Sequence, residues 1–370
     1  MDQKPTTKKN PNKDPGTRQV FLFLLVAVLL IPTLTVCLLV GGLPPREPVT
    51  TDPATTPPGV TPSGPTLPVF SDGVIPTMPG VTANTATIAE GNSTYAVLVN
   101  AATGEILAAK NDDVQFSPAS MTKVMTLIVA CERLTTEDLE RRTVLTQEIT
   151  SYVTSGAYTG TSVALIDGDK YLNDEFRLID LLYGIGVASA ADCTMMVVSE
   201  VCPAASAAES EAAFVALMNQ KAAELGLTKT HFDNVAGHDS ANNLTTAREM
   251  AVIMSYALQS TTITDILAVH RYPFKGYYYK EGILTTYNRE YNSTLFKERV
   301  ESYERNYGKS FVLSTTTLLA GKTGYLSSSY LACVARGKSN GVTYVLILGD
   351  APKSYHTMAD VKTILDTYVK

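Results

Sequence analysis

In the stretch "SPASMTKVMT", residues 117–126, Ser120 and Lys123 stand three residues apart. On a helix that spacing puts both side chains on one face, where they can meet. A serine hydroxyl is a weak nucleophile until a neighbouring base takes its proton, and a lysine serves as that base if its surroundings keep it neutral. The same residues also read as an ordinary helix start, with Ser117 or Ser120 as N-cap and Lys123 laying its stem along the apolar run Val124–Cys131. Spacing alone does not choose. A second lysine stands in "GKTGY", where Lys322-Thr323-Gly324 falls on a predicted strand followed by a turn. Glycine there would let a ligand backbone approach the strand, while an edge lysine equally serves to discourage aggregation.

The elements around these residues follow from periodicity. "YAVLVN" (Tyr95 to Asn100) and "ILAAK" (Ile106 to Lys110), joined through Gly104, predict a hairpin that leads into the Ser120 helix. The middle of the chain predicts helices: "LIDLLYGIGVASAADCTMMVVSEV", then a face marked by Phe214, Leu217, Met218, Ala222 and Leu225 that stops at Gly226. A further helix opens on the capping box Thr246-x-x-Glu249. Residues 271–310, rich in Tyr, Lys, Arg and Glu, give no assignment. "SFVLSTTTLL" with "GKTGYL", "SSYLACVARG" and "GVTYVLILGD" predict three late strands, and "MADVKTILDTYV" a closing amphipathic helix. Early and late strands together predict one antiparallel sheet closed by both ends of the domain, with an inserted helical region beside it.

A chain of 370 residues with 45% hydrophobic content can bury a full core. Its formal charge of -6 comes without a basic patch, which argues against nucleic acid as a partner. The five cysteines, Cys37, Cys131, Cys193, Cys202 and Cys333, form neither a disulfide framework nor a C-x-x-C zinc pattern and read as small apolar residues. The four histidines, His231, His238, His270 and His356, include no H-E-x-x-H pair, so no metal is expected. His231 and His238 with Asp233, Asn234 and Asp239 predict a structured turn.

The first residues, 1–19, are a basic tail carrying Lys4, Lys8, Lys9, Lys13 and Arg18. Residues 20–42 begin with a charge-free apolar run, Val20 to Val40, long enough at about 1.5 Å per residue to cross a bilayer core of roughly 30 Å. With the basic flank first, the expected topology is a single-pass anchor with the N-terminus in the cytoplasm and the remainder outside the cell membrane. A cleaved signal peptide and a lipoprotein anchor at Cys37 fit less well: no small-x-small cleavage site follows the run, and Val36 precedes the cysteine. Residues 43–88, rich in Pro and Thr, lack helical or strand period and are expected to form an extended spacer. Residues 89–370 then form the catalytic domain.

S-x-x-K at a helix start, Ser189 in the helical middle and K-T-G on a late strand occur in the order of the serine penicillin-recognising enzymes. With "NAATGEILAAKN", "PASMTKVMT", "FVALMNQKAAELGLTKTHFDNVAGHD", "TAREMA" and "GKTGY", the chain resembles the low-molecular-mass D-alanyl-D-alanine carboxypeptidases of the S11 peptidase family from about Tyr95 to Leu348. The resemblance implies an α+β fold like that of penicillin-binding proteins and β-lactamases, in which an antiparallel sheet of about five strands is flanked by helices and joined to a mostly helical subdomain. It implies Ser120 as nucleophile, Lys123 as its base, and Ser189 as the relay of a proton to the leaving amine. Lys322 and Thr323 would hold the terminal carboxylate, Gly324 and Tyr325 would complete the substrate strand, and the N–H groups of Ser120 and Tyr325 would form the oxyanion hole. Lys322 would also supply the charge that depresses the Lys123 pKa. No cofactor is needed. The implied partners are peptidoglycan stem peptides ending in D-Ala-D-Ala and β-lactam antibiotics.

Two departures from that pattern stand out. The middle motif reads Ser189-Ala190-Ala191-Asp192, without the asparagine of S-x-N, and Leu326 stands where many relatives have threonine. Asp192 would point about 100° away from position 191 on a helix and is no simple replacement. Loss of the amide predicts an enzyme roughly ten- to hundredfold slower, which Ala191→Asn should restore. The competing readings are a member that binds penicillin or peptidoglycan without useful turnover, a β-lactamase, and a metal-dependent D,D-peptidase.

Overall fold

The computed structural model describes residues 68–71 and 73–370. The basic tail, the apolar span at 20–42 and most of the spacer lie outside these residues. Among the described residues no helix is long and apolar enough to cross a membrane.

The expected spacer ends earlier than residue 88. Val69 and Phe70 donate their N–H groups to Leu134 O (2.7 Å) and Cys131 O (2.9 Å), and the Phe70 ring, 5% exposed, packs on Tyr256 with centroids 5.0 Å apart. Val74 and the Gln259 side chain exchange two hydrogen bonds of 2.7 Å. Strand β1 (Ala86–Thr87) then lies parallel to the strand Ile106–Lys110, and Ile88 is buried. One aromatic ring and a few backbone bonds suffice to bind a Pro-rich stretch whose composition alone reads as unstructured.

The elements that follow are β2 (Tyr95–Asn100), β3 (Ile106–Lys110), α1 (Lys123–Arg133), β4 (Arg142–Val144), α2 (Gln147–Val153), β5 (Glu175–Arg177), α3 (Leu178–Val187), α4 (Ala191–Val201), α5 (Ala207–Glu224), α6 (Ala247–Ala257), α7 (Thr261–Ala268), β6 (Arg271–Lys280), β7 (Ile283–Asn292), α8 (Thr294–Tyr307), β8 (Thr316–Tyr325), β9 (Ser329–Gly337), β10 (Thr343–Ala351) and α9 (Ser354–Tyr368). The main sheet has the order β1-β3-β2-β10-β9-β8, and every pair except β1–β3 is antiparallel. The five antiparallel strands are those read from the sequence; β1 is the addition. Successive side chains of a strand face opposite ways, so Val97, Val99, Val345 and Ile347 enter the larger core with the helical layers, while Ala96, Leu98, Leu346 and Leu348 meet α9. Covered on both faces, β9 and β10 read as continuous apolar runs, the pattern of fully buried strands.

The inserted region is not purely helical. A second sheet, β4-β5-β6-β7, stands beside the helices, and the unassigned residues 271–310 form the long β6–β7 hairpin and α8. The hairpin turns on two left-handed residues, Glu281 (φ 53°) and Gly282 (φ 80°), which suits the twist of a two-residue turn. The single mid-chain helical stretch is also two helices, α3 and α4, broken at residues 188–190. Thr246 caps α6 as expected, accepting from Glu249 N–H (3.1 Å), but the Glu249 carboxylate turns away to the N–H groups of Thr228 and Lys229. Cys131, Cys193 and Cys333 are buried and free, in keeping with their reading as small apolar residues.

Candidate active site

The turn that carries Ser120 is built by close backbone approach. Phe116 and Thr245 exchange two backbone hydrogen bonds (2.8 and 2.9 Å), after which Ala119 takes a left-handed conformation, φ 50°. Residues Ala119–Thr122 form a 3-10 turn, and α1 begins only at Lys123. Neither this turn nor α1 has a side-chain cap, and Ser117 Oγ is buried without a partner, so neither serine acts as an N-cap. Two glycines clamp the turn. A Cβ on Gly237 (φ 76°) would collide with the Ala119 carbonyl, and one on Gly324 would come within 3.0 Å of Ala119 Cβ and 3.2 Å of Pro118 O. Gly324 therefore admits the protein's own Ser120 turn to the strand, rather than only a ligand backbone as its position suggested.

Lys123 is 1% exposed, with Nζ 3.3 Å from Ser120 Oγ and 2.6 Å from Ala236 O. One turn along α1, Thr126 donates to Val235 O (2.7 Å). The receiving loop is shaped by Asn234, whose Oδ1 accepts from Gly237 N–H (2.6 Å) and Ala236 N–H (3.3 Å), the local pattern expected of a turn-forming Asn. On the opposite wall Ser189 adopts φ 55° in the break between α3 and α4. Lys322 Nζ donates to Ser189 Oγ (2.9 Å) and to Thr323 O (2.9 Å).

These residues open on one cleft of about 410 Å³, lined by Ser120, Ser189, Ala236, Gly237, Thr323, Gly324, Tyr325 and Leu326, with residues 159–162 as its outer wall. Its size suits a small peptide. Tyr325 stands at the mouth, 61% exposed. Of the sequence-predicted residues, Ser120, Ser189, Thr323, Gly324 and Tyr325 line the cleft, and Lys123 and Lys322 lie beneath it, each reaching a serine hydroxyl on its wall.

Burial lowers the pKa of both lysines. Burial pushes the Lys123 pKa down to about 7, and the charge of Asp192 partly opposes that fall. The expected cause was the charge of Lys322; desolvation accounts for the depression instead. Lys322 itself is held well below the usual lysine range by burial first, then by Lys123 and Arg299.

Sequence reasoning missed three parts. The first is Asp192, whose buried carboxylate collects the N–H groups of Ala164 (3.0 Å), Leu165 (2.6 Å), Ile166 (3.1 Å) and Cys193 (2.9 Å). It thereby staples the 159–166 wall to the start of α4, while Ala191 N–H donates to Ser162 O (2.7 Å). The Ala236 carbonyl is the second, and Arg299 of α8, which also lines the cleft, is the third. The only advance signal for the second was Asn234-x-x-Gly237 in the predicted turn.

The family model for D-alanyl-D-alanine carboxypeptidase, peptidase S11, matches residues 82–352. The chain belongs to that family. It is 27% identical over 280 residues to the D-alanyl-D-alanine carboxypeptidase DacF of Bacillus subtilis, covering 73% of this chain and 60% of that protein. With the carboxypeptidase DacC of Escherichia coli it shares 32% identity over 176 residues, 47% of this chain and 41% of the relative. The chain thus spans about 60% or less of the length of these curated relatives. The crystal structure of the Streptomyces K15 DD-transpeptidase matches with a TM-score of 0.62 at 22% identity, covering 75% of this chain and 97% of that one. This likeness is one of fold: an S11 chain with the α+β architecture of the DD-transpeptidase, its sheet and second sheet flanked by helices.

Proposed function

We propose that the chain is a serine D-alanyl-D-alanine carboxypeptidase that removes the terminal D-alanine from peptidoglycan stem peptides through an acyl-enzyme on Ser120. The observation that carries this reading is a pair of lysine–serine contacts in one cleft, Lys123 to Ser120 at 3.3 Å and Lys322 to Ser189 at 2.9 Å, with both lysines buried. Neutral Lys123 takes the Ser120 proton as Oγ attacks the carbonyl carbon of the penultimate D-alanine. Negative charge then grows on the carbonyl oxygen, where the N–H groups of Ser120 and Tyr325 receive it. Collapse breaks the C–N bond. The departing amine takes a proton relayed by Ser189 from the lysine pair, and the free D-alanine leaves. Water next attacks the ester and gives its proton to Lys123, which returns it to Ser120 Oγ as the acyl C–O bond breaks and the stem peptide leaves. Lys322 and Thr323 hold the terminal carboxylate. A β-lactam follows the same first step, but its cleaved amide nitrogen stays tethered and the acyl-enzyme persists. No cofactor enters.

Purified protein exposed to benzylpenicillin tests this directly. The expected result is one mass increment equal to intact penicillin, mapped to the peptide bearing Ser120 and absent from Ser120→Ala. Labelling elsewhere, or none, overturns the reading. A second reading, a penicillin-binding member without useful turnover, is favoured by the missing motif asparagine at Ala191. Release of D-alanine from a pentapeptide separates the two.

The apolar span at 20–42 is read as an uncleaved anchor, with the catalytic domain outside the cell and residues 43–67 as its tether. Protease added to wall-stripped cells should release an active fragment cut between residues 43 and 67. Mature protein beginning near Gly42 in the medium would identify the span as a signal peptide.

A further inference from the structure

Arg299 is a buried cation with no acid to neutralise it. It projects from the middle of α8, is 5% exposed, and belongs to none of the ion pairs among the described residues. Burial lowers its pKa to about 10, which leaves it charged at neutral pH. Its fork is spent on oxygen atoms at the end of the β8–β9 hairpin. Nη2 donates to Gly324 O (2.9 Å), and Nη1 donates to Tyr330 O (3.1 Å) and Ser329 Oγ (2.8 Å). Ser329 Oγ in turn accepts from Thr357 Oγ1 (2.8 Å), so the group that orients the fork is itself fixed.

The first of these contacts reaches the chemistry. Gly324 C=O and Tyr325 N–H belong to one peptide unit; the peptide is planar and trans, so the two point in opposite directions. A guanidinium on the oxygen holds the plane, and by drawing electron density away from the nitrogen it strengthens the N–H as a donor. That unit lies against the nucleophile turn, because Gly324 packs on Ala119 and Pro118. We infer that Arg299 is a positioning residue for the oxyanion site: its grip on Gly324 O orients and polarises the Gly324–Tyr325 peptide, so that Tyr325 N–H meets the charge growing on the substrate carbonyl. The inference rests on the proposed carboxypeptidase reaction. It gives α8 a part in catalysis although no atom of Arg299 touches the reacting centre.

The test compares Arg299→Gln, Arg299→Lys and Thr357→Val in the full chain. Acylation by benzylpenicillin is resolved into an initial Kd and an acylation rate constant, and affinity is measured for a boronic acid, which forms a tetrahedral adduct on serine. Deleting an oxyanion donor outright costs about 10²–10³ in rate. Weakening one through its peptide should lower the acylation constant of Arg299→Gln about 10- to 100-fold. Boronate affinity should fall in parallel while the initial Kd stays within about twofold. Arg299→Lys should recover part of the loss. Thr357→Val, which removes a hydroxyl at little cost in volume, should lower the same constant by a smaller factor, and it decides the matter if Arg299→Gln does not fold. An unchanged acylation constant in the folded variants overturns the inference. So does a loss confined to Kd for ligands bearing a free carboxylate, which would make Arg299 a ligand of that carboxylate. If the unmodified protein is not acylated at Ser120, the proposed reaction fails first and the inference with it, a result visible before any variant is compared.

Discussion

Lys123 Nζ lies 2.6 Å from the Ala236 carbonyl oxygen, closer than it lies to Ser120 Oγ. A backbone carbonyl thus holds the lysine where the S-x-N pattern would use a side-chain amide. Ala191, where the asparagine is missing, is fully buried and spends its N–H on Ser162. The Ala236 carbonyl thus offers Lys123 an acceptor from the other wall, which would cover the deficit expected from the sequence. Ala191→Asn should leave penicillin acylation within about threefold of the parent or below it, and lower stability by about 1–3 kcal/mol as an overpacked core position. Stopped-flow acylation with thermal melting reads both. A tenfold gain in rate would show that Lys123 lacks a partner in the unmodified chain.

Acylation should follow the protonation of Lys123. With its pKa lowered to about 7 by burial, the base is mostly charged and inert at pH 5 and mostly neutral at pH 9. The acylation constant should climb roughly tenfold per pH unit up to about 7 and level off above it. Lys123→Ala should be nearly inactive at every pH. A limb centred near the ordinary lysine value would assign the base elsewhere.

Asp192 is expected to be costly to remove. Asp192→Ala leaves the buried N–H of Leu165 and the part-buried N–H of Ile166 without their acceptor, at about 1–3 kcal/mol for a buried unsatisfied group. Denaturant unfolding should show the loss of stability. In protein that still folds, the freed 159–166 wall should raise the initial Kd for penicillin more than it slows acylation. A variant of parental stability would mean that the staple carries no weight.

Phe70→Ala should destabilise the domain by about 3–5 kcal/mol, as for a buried aromatic elsewhere. Deleting residues 43–67 should leave its melting temperature unchanged. Equal stability of Phe70→Ala and the parent would return residues 68–88 to the spacer.

The residues that meet at the cleft were legible because their spacing is local. Ser120-x-x-Lys123 and Lys322-Thr323-Gly324 each sit within one turn or one strand. The supporting groups were not, for a different physical reason in each case. Arg299 falls in residues 271–310, which give no assignment from sequence, and only the docking of α8 turns it inward. The reach of the Asp192 carboxylate for the backbone of residues 164–166 depends on a loop that the periodicity of α4 does not specify. Ser189 falls inside an apolar run that predicts unbroken helix, and its left-handed φ of 55° comes from how α3 and α4 meet. The β6–β7 hairpin mixes charge with tyrosine on both faces, so it lacks the alternation that marks a half-buried strand.

Strand β8, which carries Lys322 to Tyr325, is the outermost strand of the main sheet and has a ladder partner on one side only. Its amide protons should consequently exchange with solvent through local opening, well before those of β9 and β10, which wait for global unfolding. The ledge that would hold substrate in the proposed reaction is then the part of the sheet that costs least to loosen. A bound peptide or a covalently held β-lactam would supply the missing second neighbour, and the slowing of exchange along β8 on acylation would report occupancy of the cleft without any measurement of product.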